Sequence, residues 1–255
     1  YFKPEIRNVN DILEDAMKLK KIVALLGLLG LYALTPVHAA IQAVGSVTTA
    51  TITTDPVNGN QKVTFGLTTG GALEISPYAD DVVRVRFHWD GIWPKEEMAI
   101  AKPFDQWPST SASFQDQGNL YTITTPDLVV EVVKSPNVQV NFKSPQGFYL
   151  SKDNRIEYDV AYDAIGDGTY DNVRYTHALP YQFKLKNIRE MPANEAYFGL
   201  GEFAGPMNRR GKDIQMWNSD TFSWQEGWTP MYMTMPVFYG LQGEQPGRPS
   251  TAYGI

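Results

Sequence analysis

The stretch LVVEVVKSPNVQVNFK, residues 128–143, decides the fold. Two runs dominated by valine, residues 128–134 and 137–143, flank Ser135-Pro136. Short runs of β-branched residues bounded by turn formers are strands. Proline has no N–H for a ladder, so it marks the break between them. The spacing predicts a β-hairpin. The same logic reads DVVRVRFHW, residues 81–89, as a strand with Val83, Val85 and Phe87 on one face. Arg84, Arg86 and His88 then fall on the other, because successive strand side chains alternate.

Working outward, similar runs occur at residues 47–54, 62–68, 148–151, 156–161, 181–186, 197–200, 214–217 and 233–239. Turn formers punctuate them at Asn58-Gly59, Gly70-Gly71, Gln146-Gly147 and Gly166-Asp167-Gly168. Helical periodicity is nearly missing. Short strands at this spacing predict an all-β sandwich or barrel. Residues 89–107 are the least regular and read as a long loop. The last residues, STAYGI, read as an apolar strand in progress, so the expectation is a chain interrupted before its domain plan is finished.

The first methionine is Met17. It is followed by Lys18, Lys20 and Lys21, an apolar run of thirteen residues at 22–34, and the small-residue close Val37-His38-Ala39. That is the layout of a secretory signal peptide, cleaved after Ala39. Thirteen residues fall short of the roughly 20 that a bilayer-spanning helix needs. Residues 1–16 lie upstream and are set outside the fold, so residues 40–255 form the expected domain, exported to the periplasm or the extracellular space. The whole chain carries 22 basic and 28 acidic side chains, a net charge of −6. An acidic surface is the opposite of what nucleic acid requires. Cysteine is absent, which removes disulfide frameworks and thiolate metal sites. No cofactor is expected.

Several patterns invite chemistry. Gly199-Leu200-Gly201-Glu202-Phe203-Ala204 fits G-x-G-x-x-A. A dinucleotide site needs a helix to follow that turn. Here Pro206 and the polar run Asn208-Arg209-Arg210-Gly211-Lys212 follow, so the glycines read as a strand end with backbone crowding. Arg209 or Arg210 is expected to pair with Glu202 and pin the loop. Asp163, Asp167 and Asp171 are spaced too widely for a calcium loop. His38, His88 and His177 make no metal pair, and no G-x-S-x-G elbow is present. Trp217-Asn218-Ser219-Asp220, followed by Phe222, Trp224 and Trp228, offers ring faces with amide and carboxylate oxygens. Sugars are bound by such sets: C–H faces stack on rings and hydroxyls reach polar atoms. Buried core is the alternative fate of these rings, and the residues alone leave both open.

The order and spacing of Tyr197-Phe198-Gly199-Leu200-Gly201-Glu202, Arg210-Gly211, Met216-Trp217-Asn218-Ser219-Asp220, the 231–238 run and Ala252-Tyr253-Gly254-Ile255 resemble the N-terminal domain of glycoside hydrolase family 31. The resemblance covers about the last sixty residues. It implies a galactose-mutarotase-like β-sandwich followed by a (β/α)8 barrel, with an oligosaccharide substrate. That barrel would carry the two carboxyls of a retaining mechanism, about 5–5.5 Å apart. It also implies that Asp220 hydrogen-bonds the sugar near the cleavage point, with Trp217, Asn218 and Phe222 as neighbours. Hydrolysis of α-linked glucosides is the expected parent activity. Glucosyl transfer, α-xyloside cleavage or a stand-alone carbohydrate-binding or mutarotase-like module are the alternatives. The chain without the barrel is expected to be inactive.

Overall fold

The computed structural model describes residues 42–88, 102–161, 169–170, 173–174 and 182–255. The signal-like segment, residues 89–101 of the loop expected at 89–107, the acids Asp163, Asp167 and Asp171, and His177 lie outside the described residues. The strands are β1 (Gln42–Ala43), β2 (Val47–Thr54), β3 (Gln61–Leu67), β4 (Ala72–Pro77), β5 (Val83–His88), β6 (Ser113–Asp116), β7 (Leu120–Thr124), β8 (Val129–Val133) and β9 (Gln139–Lys143). They continue with β10 (Tyr149–Ser151), β11 (Asp153–Ala161), β12 (Thr169–Tyr170), β13 (Val173–Arg174), β14 (Gln182–Arg189), β15 (Glu195–Gly199), β16 (Phe238–Gln242) and β17 (Thr251–Gly254). A single 3-10 turn, Phe104–Gln106, is the only helical element among the described residues.

The chain divides into two units, Tyr1–Ala40 with Val160–Lys184, and Ile41–Asp159 with Leu185–Ile255. In the first, the described residues include β12 paired antiparallel with β13. The second holds the core. One sheet runs β2-β3-β4-β5 and another runs β10-β9-β8-β7-β6, both antiparallel throughout. The expected hairpin is β8 against β9, with Val133 opposite Gln139. Val63 and Phe65 of β3 and Ile75 of β4 share one buried cluster with Ile123 of β7 and Val130 and Val132 of β8. Phe65 meets Tyr121 edge-on at 5.1 Å between ring centroids. Alternate side chains of two sheets therefore meet face to face, which makes the fold a sandwich.

The structure departs from the sequence reading in informative places. In β5, Val83 and Phe87 pack against the core as the alternation predicts. Val85 between them is 36% exposed, and β5 ends its sheet among the described residues. Strand β4 carries no alternation at all: all six of its residues are buried. Its Glu74 is accommodated by Lys62 at 3.0 Å and Arg86 at 3.5 Å from the neighbouring strands, so a charge sits where a pattern search expects none. Strands β6 and β7 also escaped the sequence reading. The strand expected at residues 214–217 does not form. That backbone is pinned by a side chain instead, with the Gln215 N–H donating to Thr229 Oγ1 at 2.9 Å. The strand expected at 233–239 starts only at Phe238. Pro236 can donate no ladder bond, and the carbonyls of Met233 and Val237 are taken by the turn after β15.

Candidate functional site

Strands β15, β16 and β17 form a three-stranded antiparallel sheet from which the candidate loop projects. β15 ends because Gly199, Leu200 and Gly201 all take left-handed backbone, with φ of 98°, 66° and 78°. Two of the three are glycine, which adopts φ > 0 without steric penalty. Space enforces the choice as well. A Cβ on Gly199 would lie 2.6 Å from the Val237 carbonyl oxygen, and one on Gly201 2.6 Å from that of Met233. The glycine pair is thus a site of backbone crowding, as the sequence suggested. No helix follows it among the described residues, so the turn lacks the helix N-terminus that a dinucleotide site uses.

The turn delivers Glu202 back against residues 233–234. Its N–H donates to Met233 O at 2.9 Å, and the Met233 N–H donates to Glu202 Oε2 at 3.1 Å. The expected Glu202–arginine pair is therefore corrected. Arg209 instead donates from Nε to Gly199 O at 3.3 Å and lays its guanidinium over the Phe203 ring at 4.9 Å. Arg210 Nη1 donates to the carbonyls of Pro192 at 2.7 Å and Glu195 at 2.9 Å. Main-chain carbonyls at the two ends of β15 take these guanidinium groups, and Glu202 binds the opposite segment.

Residues 215–221 run beside residues 229–234 and are joined to them by mixed main-chain and side-chain bonds. Asn218 Oδ1 accepts both from Thr234 N at 2.8 Å and from Thr234 Oγ1 at 2.7 Å. The Ser219 N–H donates to Met231 O at 2.9 Å. Thr221 Oγ1 donates to Pro230 O at 2.8 Å, and Tyr232 Oη donates to Thr221 O at 2.6 Å. Asp220 therefore lies between two anchored neighbours while its own side chain is exposed. Met231, whose carbonyl takes the Ser219 N–H, is buried. On either side of Asp220 in the chain the rings stand in solvent: Phe222 is 87% exposed, Trp217 59% and Trp224 55%. Trp228 is exposed as well. Sequence left open whether these aromatics are core, and they are not.

Of the four residues singled out from sequence, the loop presents Asp220, Trp217 and Phe222 outward. Asn218 spends its carbonyl oxygen on Thr234. Sequence missed Thr229, Tyr232 and Thr234, the bracing residues, since hydroxyls in a polar loop carry no periodic signal. Among the described residues no group of three or more histidine, cysteine or acidic side chains could hold a metal ion.

The second unit is thus a two-sheet antiparallel sandwich that carries a braced loop with exposed rings. Residues 72–255 match the Glycosyl hydrolase 31 N-terminal galactose mutarotase-like domain, and the chain belongs to that family. It is 23% identical over 151 residues to a 1,6-alpha-glucosyltransferase of Sporosarcina globispora, covering 56% of this chain and 10% of that protein. Among solved structures it is similar to a GH31 dextranase of Flavobacterium johnsoniae complexed with glucose, with a TM-score of 0.57, 21% identity, and coverage of 79% of this chain and 22% of that one. It is also similar to the cycloalternan-forming enzyme of Listeria monocytogenes in complex with a pentasaccharide substrate, with a TM-score of 0.53, 21% identity, and coverage of 80% and 17%. At such identities the structural likeness speaks to the fold. The chain spans about a tenth of the length of the glucosyltransferase and about a fifth of the dextranase.

Proposed function

We propose that this chain is the substrate-loop domain of an exported, retaining α-glycosidase acting on α-linked glucosides, with α-1,6-linked glucans as the favoured substrate class. The observation that carries the reading is Asp220: an exposed carboxylate fixed by its two neighbours and flanked by the exposed rings of Trp217 and Phe222. A carboxylate so held can accept hydrogen bonds from sugar hydroxyls, and open ring faces can stack on the apolar faces of pyranoses. The linkage is suggested by the names of the relatives, a dextranase and a 1,6-alpha-glucosyltransferase. Export is supported by the basic and apolar segment ending at Ala39.

In this reading the two reacting carboxyls belong to a downstream (β/α)8 barrel of the parent enzyme, and the loop reaches over its mouth. The described loop supplies binding and orientation, which are worth rate only when they hold the scissile bond in reacting geometry. Glucosyl transfer is the companion reading, favoured by the glucosyltransferase relative, because the same rings can hold a sugar acceptor in place of water. The test is titration calorimetry of the chain with isomaltotriose beside an aryl α-glucoside assay. Saturable isomaltotriose binding that is lost in Asp220→Asn, with no turnover by the chain alone, is the expected outcome. Turnover by the purified chain, or equal binding by the Asn variant, overturns it.

A further inference from the structure

We propose that Glu202 and Asn218 are positioning residues: they clamp residues 233–234 from two sides and so fix where Asp220 is presented. The inference rests on the reading of Asp220 as a sugar contact, but its claim about the loop stands on separate observations. On one side, Glu202 exchanges hydrogen bonds with Met233, its N–H to the carbonyl at 2.9 Å and its carboxylate from the N–H at 3.1 Å. On the other side, Asn218 Oδ1 receives both donors of Thr234, at 2.8 Å and 2.7 Å. Two residues before that clamp, Met231 O receives the Ser219 N–H, the residue next to Asp220.

The order of connection is therefore Glu202, Met233, Thr234, Asn218 and, through the adjoining Ser219, Asp220. It begins at the crowded turn, where Gly201 at φ 78° lets the backbone approach closely enough for Glu202 to reach. Both side chains are exposed, so water competes for their bonds and the net stabilisation from each is small. What an exposed clamp of this kind controls is geometry. Neither side chain needs to touch sugar, and Asn218 acts through Thr234 rather than as a ligand. A site held within about 0.5 Å of its productive geometry depends on such supporting bonds.

The experiment compares the 255-residue chain with Glu202→Ala, Glu202→Gln, Asn218→Ala and Asp220→Asn. Two quantities are read: hydrogen exchange at the Ser219 amide and the affinity for isomaltotriose. Both alanine variants are expected to speed Ser219 exchange by about threefold, the low end expected of one lost hydrogen bond, and to weaken isomaltotriose binding at an unchanged unfolding midpoint. Glu202→Gln keeps an acceptor oxygen and restores both. Asp220→Asn weakens binding and leaves exchange alone. If exchange at Ser219 is unchanged in both alanine variants, the positioning role is overturned. If exchange rises as stated but Asp220→Asn and the parent bind isomaltotriose alike, the clamp stands and the sugar reading falls.

Discussion

Tyr253 in β17 donates its phenolic hydrogen to Glu195 Oε1 in β15, across 58 positions of sequence and the intervening strand β16. Glu195 is only 3% exposed. Its other oxygen accepts from Gln242 Nε2 at 3.2 Å, and that amide also donates to Leu150 O in β10 at 2.9 Å. One buried carboxylate thus ties together the three strands that carry the loop and links them to the larger sheet. Gly240 makes the crossing possible: any Cβ there would collide with both Glu195 and the Tyr253 ring.

Removing one partner of that contact leaves a buried acceptor short of a donor. Tyr253→Phe is expected to destabilise the chain by about 1–3 kcal/mol, the cost of an unsatisfied buried group. Glu195→Ala removes the acceptor of both Tyr253 and Gln242 and is expected to cost more. Urea unfolding followed by tryptophan emission measures both. A change below about 0.5 kcal/mol in either, the range typical of surface substitutions, would show that the network is not a structural tie.

The same network predicts an alkaline transition. Burial, and then the Glu195 charge beside it, pushes the Tyr197 hydroxyl up from 10.0 to about 12. Tyr253 is raised too, by burial first and then by its bond to Glu195. A group whose folded pKa is raised contributes stability that is fully present below its unfolded pKa and lost as pH rises through the folded one. Stability from Tyr197 is therefore intact below pH 10 and falls away between pH 10 and about 12. Phenolate absorbance against pH should show this late-titrating tyrosine. In Glu195→Gln it should ionise earlier, though still above the ordinary value, because burial is the larger cause.

Gly201 and Gly211 separate two reasons for glycine. Both have positive φ, 78° and 69°, but an added Cβ meets the Met233 oxygen at 2.6 Å in the first and nothing within 4 Å in the second. Gly211→Ala should cost only the left-handed penalty of about 1–2 kcal/mol. Gly201→Ala should cost more and should also displace residues 233–235, raising exchange at the Met233 amide. Equal costs for the two variants would remove the crowding argument.

What the sequence made legible follows from where regular physics applies. The hairpin at 128–143 and strands such as β2 and β3 carry alternation or dense β-branching, and these emerged as expected. β4 did not, because a strand buried on both faces loses its period, and Glu74 within it mimics a solvent-facing residue. The loop motif was legible as a set of residue types and by family resemblance. Its mechanics were not: Glu202 turns to Met233 rather than to an arginine, and Thr229, Tyr232 and Thr234 act through single hydroxyls that no spacing rule marks. Glu195 was equally silent, since one acid at a strand start reads the same whether it meets water or Tyr253.

Phe222 gives the sharpest division between folding and function. A ring that is 87% exposed buries almost nothing, so the fold gains little from it. Phe222→Ala should therefore leave the unfolding midpoint within the roughly 0.5 kcal/mol typical of surface changes. The Ser223 backbone next to it, at φ 56°, holds a conformation that costs a non-glycine residue energy, and Thr221 on its other side is bonded to Pro230 O. The backbone on either side of Phe222 is thus constrained while the ring stays exposed, which leaves the ring available for the sugar contact proposed above. The same substitution should lower isomaltotriose affinity several-fold. If Phe222→Ala lowers stability by an amount typical of a core ring, about 3–5 kcal/mol, the ring is a packing element and the loop is not a sugar platform.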